Sequence, residues 1–72
     1  MDRLKKLRKE RGYTQLKMQM LTGIDQSDYS KIERGTRYYT FEQCKRIAVA
    51  LDTSMDYLAG LTDVKEPYPK KK

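Results

Sequence analysis

The sequence contains no histidine and no tryptophan, and it has a single cysteine among its 72 residues. Without histidine, imidazole acid–base chemistry and histidine-ligated metal sites are excluded. One cysteine forms neither an internal disulfide nor a thiolate zinc site, and such usage is typical of a reducing compartment. Because no nucleophile–base pair or metal-ligand set can be assembled from the remaining residues, we expect neither an enzyme nor a bound cofactor.

Long hydrophobic runs are also missing. The longest strictly apolar run is Ile47 to Leu51, whereas a membrane span needs about twenty such residues. The opening Met-Asp-Arg-Leu-Lys-Lys leads into no apolar stretch of the kind that a signal sequence needs. We therefore expect one small cytoplasmic domain with no membrane partner, since a chain of this length leaves no room for a second domain.

Positive charge is in excess and is concentrated at the two ends of the chain. Sixteen Lys and Arg residues against ten Asp and Glu residues give a net charge of +6. Residues 1–12 carry +4 and residues 61–72 carry +2, while residues 13–60 are neutral overall. A polyanion is the first partner to consider, although the same charges also keep a small protein in solution.

Glycines and capping residues divide the chain into five helical segments. The glycines are Gly12, Gly23, Gly35 and Gly60, and the N-cap candidates are Thr14, Asp25, Thr40 and Ser54. Gln43 completes a capping box with Thr40. The predicted helical segments are 2–11, 14–22, 25–34, 40–51 and 54–60. No segment shows strand alternation, so the sequence predicts an all-α fold.

The fourth segment has an apolar stripe of helical period, and the end of the chain has a different composition. The stripe consists of Phe41, Cys44, Ile47, Ala48 and Leu51. Residues 1–61 are expected to form the domain. Residues 62–72 contain two prolines and three terminal lysines, which predicts a flexible basic tail.

The stretch from Thr14 to Gly35 carries the most specific motif. Two helices of about eight residues flank the turn Gly23-Ile24-Asp25, and Ile32-Glu33-Arg34-Gly35 closes the second helix. With these residues the chain resembles the Cro/C1-type (XRE) helix-turn-helix family of bacterial and phage regulators over roughly residues 4–60. The resemblance implies a compact, lambda-repressor-like bundle whose helices two and three form the helix-turn-helix. Helix three would then enter the major groove of double-stranded DNA.

The resemblance also implies roles for individual residues. Base contacts are expected from Gln26, Ser27, Ser30 and Lys31. Phosphate contacts are expected from Thr14, Gln15, Thr36, Arg37, Tyr38 and Thr40. A structural ion pair is expected between Arg8 and Glu33, holding helix one against helix three.

Several residues depart from the family pattern or have no role in it. Gln19 stands where the family has a small alanine. Asp28 stands where Ser or Thr is common, and it either stabilises the helix dipole or accepts from a cytosine amino group. Leu16 and Met20 either bury locally or form an apolar patch for a protein partner.

A second candidate contact surface lies near the end of helix five. It consists of Tyr57, Leu58 and Leu61.

These observations predict a sequence-specific transcriptional regulator. We expect a repressor that binds a two-fold operator as a homodimer, in a bacterial or phage setting and on the nucleoid when bound. The alternative is an interaction module such as an antitoxin, with secondary DNA binding. The near-neutral third helix is the strongest argument against tight DNA binding.

Overall fold

The computed structural model describes residues 2–69, and its regular secondary structure is entirely helical. The five helices are α1 (Asp2–Glu10), α2 (Gln15–Thr22), α3 (Gln26–Arg34), α4 (Phe41–Ala50) and α5 (Met55–Ala59). The described residues include no strand. The predicted all-α fold of five helices is therefore confirmed.

Helices α2 to α5 each begin directly after the N-cap residue that was predicted for them. The side-chain oxygens of four N-caps each accept a hydrogen bond from the backbone N–H three residues further on, and these caps are Thr14, Asp25, Thr40 and Ser54. The capping box between Thr40 and Gln43 is also present. A cap of this kind typically stabilises a helix by about 1 kcal/mol, which matters in a domain with so small a core.

The core lies where α4 packs on α2 and α5 while α1 packs on α3 and α5. Its fully buried side chains are Tyr29, Leu4, Leu7, Met18, Ile32, Ile47 and Leu51. The predicted stripe of α4 is buried except for its first member, Phe41, which is 72% exposed. Helical side chains point back toward the N-terminus, so a side chain at the first helical position projects past the helix and away from the core.

Tyr57 and Leu58 do not form an exposed contact surface, so that prediction is wrong for both. They are buried in the core, and only Leu61 of the predicted set is exposed. The Arg3 guanidinium also covers the Tyr57 ring, with its carbon 4.6 Å from the ring centroid.

The chain beyond α5 returns to α1. Arg3 donates to the carbonyl of Thr62 and pairs with Asp63 at 2.6 Å. Lys65 pairs with Glu10 at 3.1 Å, and its carbonyl accepts from Thr53 at 2.6 Å. These contacts define the path of residues 62–65. The mobility predicted for residues 62–72 stays a prediction, and residues 70–72 lie outside the described part of the chain.

Candidate nucleic-acid interface

The turn between α2 and α3 depends on a left-handed glycine. Gly23 has φ 73°, and its N–H donates to the Gln19 carbonyl at 2.8 Å. The next residue, Ile24, is buried, and its N–H donates to the hydroxyl of Thr22 at 3.3 Å. That hydroxyl itself donates to the Met18 carbonyl at 2.7 Å. The turn is thus fixed by backbone and side-chain bonds, and it sets how α3 leaves α2.

Helix α3 has one buried face and one open face. Tyr29, Ile32 and Glu33 are buried. The exposed residues are Gln26, Ser27, Lys31 and Arg34. Ser27, Lys31 and Arg34 are spaced at i, i+4 and i+7, so they share one side of the helix. In the described part of the chain α3 packs only on α1 and α2, and this leaves the opposite face uncovered.

The expected pair between Arg8 and Glu33 is present and buried. Nε of Arg8 donates to Oε2 of Glu33 at 3.0 Å, and Nη2 donates to Oε1 at 2.8 Å. Nη1 of Arg8 donates to the Tyr13 carbonyl at 2.8 Å. Two helices are thereby joined through a bidentate contact, the geometry in which a guanidinium holds a carboxylate best.

The environment of this pair shifts the pKa values of its members. Burial acts to raise the pKa of Glu33, but hydrogen bonds from Arg8 and Gln15, the nearby Tyr29 hydroxyl and the charge of Arg8 hold it below its usual value. The hydrogen bond to Glu33 raises the pKa of Arg8. Burial, followed by the contact with Glu33, raises the pKa of Tyr29. All three groups therefore keep their ordinary charge states at neutral pH.

Gln15 connects α2 to α3 through two polar contacts. Its side-chain amide donates to Oε1 of Glu33 at 3.3 Å, and its side-chain oxygen accepts from the Ser30 hydroxyl at 3.2 Å. Both Gln15 and Ser30 are half-buried. Gln15, which was predicted to contact phosphate, and Ser30, which was predicted to contact a base, are thus hydrogen-bonded to each other. This helix-to-helix bridge was missed because no local pattern pairs residues 15 positions apart.

Asp28 is paired with Arg37 from the loop that follows α3. Oδ1 of Asp28 accepts from Nη1 of Arg37 at 2.7 Å. Each acidic residue of α3 therefore has an arginine partner from outside the helix, Arg37 for Asp28 and Arg8 for Glu33. The two cations of α3 itself, Lys31 and Arg34, have no acidic partner among residues 3–69. Although the net charge of α3 is zero, its outer surface is effectively positive, because its acidic residues are neutralised and its cations are not.

The other predicted contact residues lie at the N-cap of α2, in the loop after α3 and at the N-cap of α4. The Thr36 hydroxyl donates to the Lys31 carbonyl at 3.2 Å, so the loop begins against α3. Tyr38 is 97% exposed. The hydroxyls of Thr14 and Thr40 accept the backbone N–H groups that they cap. The contacts of these four residues with phosphate stay predictions.

An apolar patch lies on α2, away from its buried face. Leu16 is 64% exposed and Met20 is 72% exposed, so local burial of this pair is ruled out. Gln19, which stands where the family has alanine, is half-buried, so its longer side chain is accommodated at the edge of the core.

The structure also bears on other chemistry. Cys44 is buried, and burial raises the pKa of its thiol, as expected for a core residue rather than a reactive one. Among the side chains of residues 3–69 no group of acidic or cysteine residues is arranged to hold a metal ion. None of the described helices has the length and apolar character required to cross a membrane.

Comparison with models of protein families shows what the chain is similar to. A family model described as a helix-turn-helix domain matches residues 2–64, a span that includes all five helices. This is the class of domain that the sequence predicted. No curated protein and no solved structure gave a significant match to the chain.

Proposed function

The chain belongs to the helix-turn-helix domain family, and from this premise we propose that it is a sequence-specific, DNA-binding transcriptional regulator of the Cro/C1 type. Its role is to bind DNA and not to catalyse a reaction. We place it in the cytoplasm of a bacterial or phage-infected cell, on the nucleoid when it is bound.

The main support for the proposal is the face of α3 that no other helix covers. Both acidic residues of α3 are neutralised by arginines from outside the helix. Gln26 has the side chain that pairs with adenine through two hydrogen bonds, and Lys31 donates to the acceptors of guanine. Ser27 lies one helical turn before Lys31 on the same side. We assign base contacts to these three residues, with Ser30 at the edge of the set, where its hydroxyl already bonds Gln15.

Phosphate contacts are assigned to the two ends of the helix pair. At the start of α2, backbone N–H groups and the positive end of the helix dipole favour an anion beside Thr14 and Gln15. At the other end, Arg37 and Tyr38 are exposed in the loop after α3. Thr36 and Thr40 flank them.

A homodimer follows from the small size of the module. One helix reads only a few base pairs, which is too little for the affinity typical of specific sites, about 10⁻⁸ M or tighter. Two copies on a two-fold operator would place their helices about 34 Å apart along the duplex. Such a dimer represses by occluding the operator.

The test is the affinity for selected and random duplexes, measured by fluorescence anisotropy across salt concentrations. The proposal predicts a steep salt dependence for the wild type and, for Lys31→Ala, a reduced preference among sequences. Lys45→Ala is the matched control, because it removes an exposed lysine from α4, outside the proposed interface. A flat salt response with no preferred sequence would contradict the proposal.

The exposed apolar pair on α2 favours a second function, that of an interaction module such as an antitoxin. Leu16 and Met20 form an exposed apolar patch that takes no part in the proposed DNA contacts. Co-expression with the product of a neighbouring gene tests this. Binding of that product that is lost in Leu16→Ser/Met20→Ser, while DNA binding is retained, would support the second function. Unchanged binding would refute it.

A further inference from the structure

Asp28 places a carboxylate on the first turn of the helix that we propose faces DNA. It follows Ser27 directly and precedes Lys31 by three residues. A carboxylate in this position repels phosphates. Simple electrostatics therefore predicts that removing Asp28 strengthens binding to every duplex.

The structure shows that this carboxylate is the inner member of an ion pair. Its oxygen lies 2.7 Å from Nη1 of Arg37, and the pair joins residues nine positions apart. The side chain of Asp28 is 27% exposed, whereas that of Arg37 is 44% exposed. The backbone of Asp28 is fixed in the first turn of α3, because its N–H donates to the N-cap side chain of Asp25 at 3.0 Å. Arg37 is thus held by the less exposed Asp28 on one side and faces solvent on the other.

The paired arginine keeps donors for a second partner. A guanidinium has five N–H donors in one rigid plane, and only Nη1 of Arg37 makes a hydrogen bond among the described contacts. Nε and Nη2 are left for an anion. A long side chain on a loop otherwise loses much rotamer freedom when it binds, and holding it beforehand reduces that loss.

We propose that Asp28 is a positioning residue that holds Arg37 in place to bind a phosphate of the DNA backbone. The inference rests on the proposed function. It assigns to Asp28 the opposite of the effect expected from charge repulsion. The carboxylate strengthens binding to a polyanion because it orders the arginine that makes the contact.

The test compares four variants with the wild type in the same salt titration: Asp28→Ala, Arg37→Ala, the double variant, and Asp63→Ala as the matched control. Asp63 is an exposed carboxylate paired with an arginine, Arg3, and it lies after α5. Its removal changes the net charge by the same amount. The readout is the slope of the logarithm of affinity against the logarithm of salt concentration, which changes by about 0.9 for each phosphate neutralised.

The proposal predicts that Asp28→Ala binds about two- to fivefold more weakly, as expected for loss of an exposed pair. Its slope is shallower by about 0.9, as in Arg37→Ala. The double variant matches Arg37→Ala alone. Asp63→Ala keeps the wild-type slope and binds no more weakly. Circular dichroism checks that each variant is folded, and Asp28→Asn replaces Asp28→Ala if the latter is not.

Two results would overturn the proposal while leaving the proposed function intact. Tighter binding by Asp28→Ala with an unchanged slope would show that the carboxylate only repels DNA. Tighter binding with a steeper slope would show that Asp28 withholds Arg37 from phosphate. A wild type with no salt dependence and no preferred sequence contradicts the proposed function itself, and the role of Asp28 falls with it.

Discussion

Arg8 on α1 and Glu33 on α3 form a bidentate ion pair inside the protein, with an Nη2–Oε1 distance of 2.8 Å and neither side chain more than 9% exposed. Gln15 of α2 donates to the same carboxylate. Three helices thus meet at one buried charge. Because α3 carries the proposed base contacts, this cluster fixes the orientation of the surface on which the proposed function depends.

Removing one member of the pair is predicted to cost more than removing both. Arg8→Met leaves a buried carboxylate without its cation, for which the expected loss is about 3–5 kcal/mol of unfolding free energy. Arg8→Met/Glu33→Met replaces both charges by apolar groups and is expected to be more stable than Arg8→Met alone. Urea unfolding measures both. A double variant that is no more stable than Arg8→Met would contradict this account.

Stability is predicted to fall at acid pH because of Glu33. The pKa of Glu33 is lower in the folded protein than in the unfolded chain, where it is about 4.3. The stabilisation is therefore fully present above about pH 4.3 and is lost as pH falls through the folded-state pKa. Urea unfolding of the wild type and Glu33→Gln at several pH values between 3 and 7 tests this. Glu33→Gln should be less stable at neutral pH and lose less on acidification; an equal loss would assign the effect to other carboxylates.

Substitution of Gly23 is predicted to affect both stability and DNA binding. Its φ of 73° strains any residue with a Cβ, at about 1–2 kcal/mol. Gly12 has nearly the same φ, 76°, and open space around its Cβ position, so Gly12→Ala is the matched control. Both alanine variants should lose similar unfolding free energy, but only Gly23→Ala, at the turn between α2 and α3, should weaken binding to a selected duplex. Equal effects of the two on DNA binding would show that the turn has no special role.

Phe41 is predicted to contribute little to stability although it begins the apolar stripe of α4. It is 72% exposed, whereas Ile47 on the same helix is fully buried. Phe41→Ala should change the unfolding free energy by less than about 1 kcal/mol, since exposed positions contribute little. Ile47→Ala should cost about 2–5 kcal/mol. Thermal or urea unfolding of the two variants compares them directly, and a large loss for Phe41→Ala would place its ring in the core.

The fold could be predicted from the sequence because its determinants are local. A capping residue such as Thr40 and its partner Gln43 are three positions apart, and a glycine such as Gly23 ends a helix through its own backbone conformation. These signals need no knowledge of the tertiary structure, and they gave all five helices.

The polar contacts of the candidate site were less predictable. The pair of Arg8 and Glu33 was expected only from a family resemblance. The contacts of Asp28 with Arg37 and of Gln15 with Ser30 join residues nine and 15 positions apart, and they depend on where packing places each helix. The composition of α3 shows only that its net charge is zero, whereas the structure shows which of its charged residues are neutralised by partners.

Selection of binding sites from a random duplex library tests the central claim most directly. If the open face of α3 reads DNA, wild type should enrich two short half-sites related by two-fold symmetry, with centres about 34 Å apart. Lys31→Ala should relax the preference at one base pair of each half-site, and Lys45→Ala should select the same sites as wild type. A library that shows no enrichment, or that Lys31→Ala enriches as the wild type does, would contradict the account.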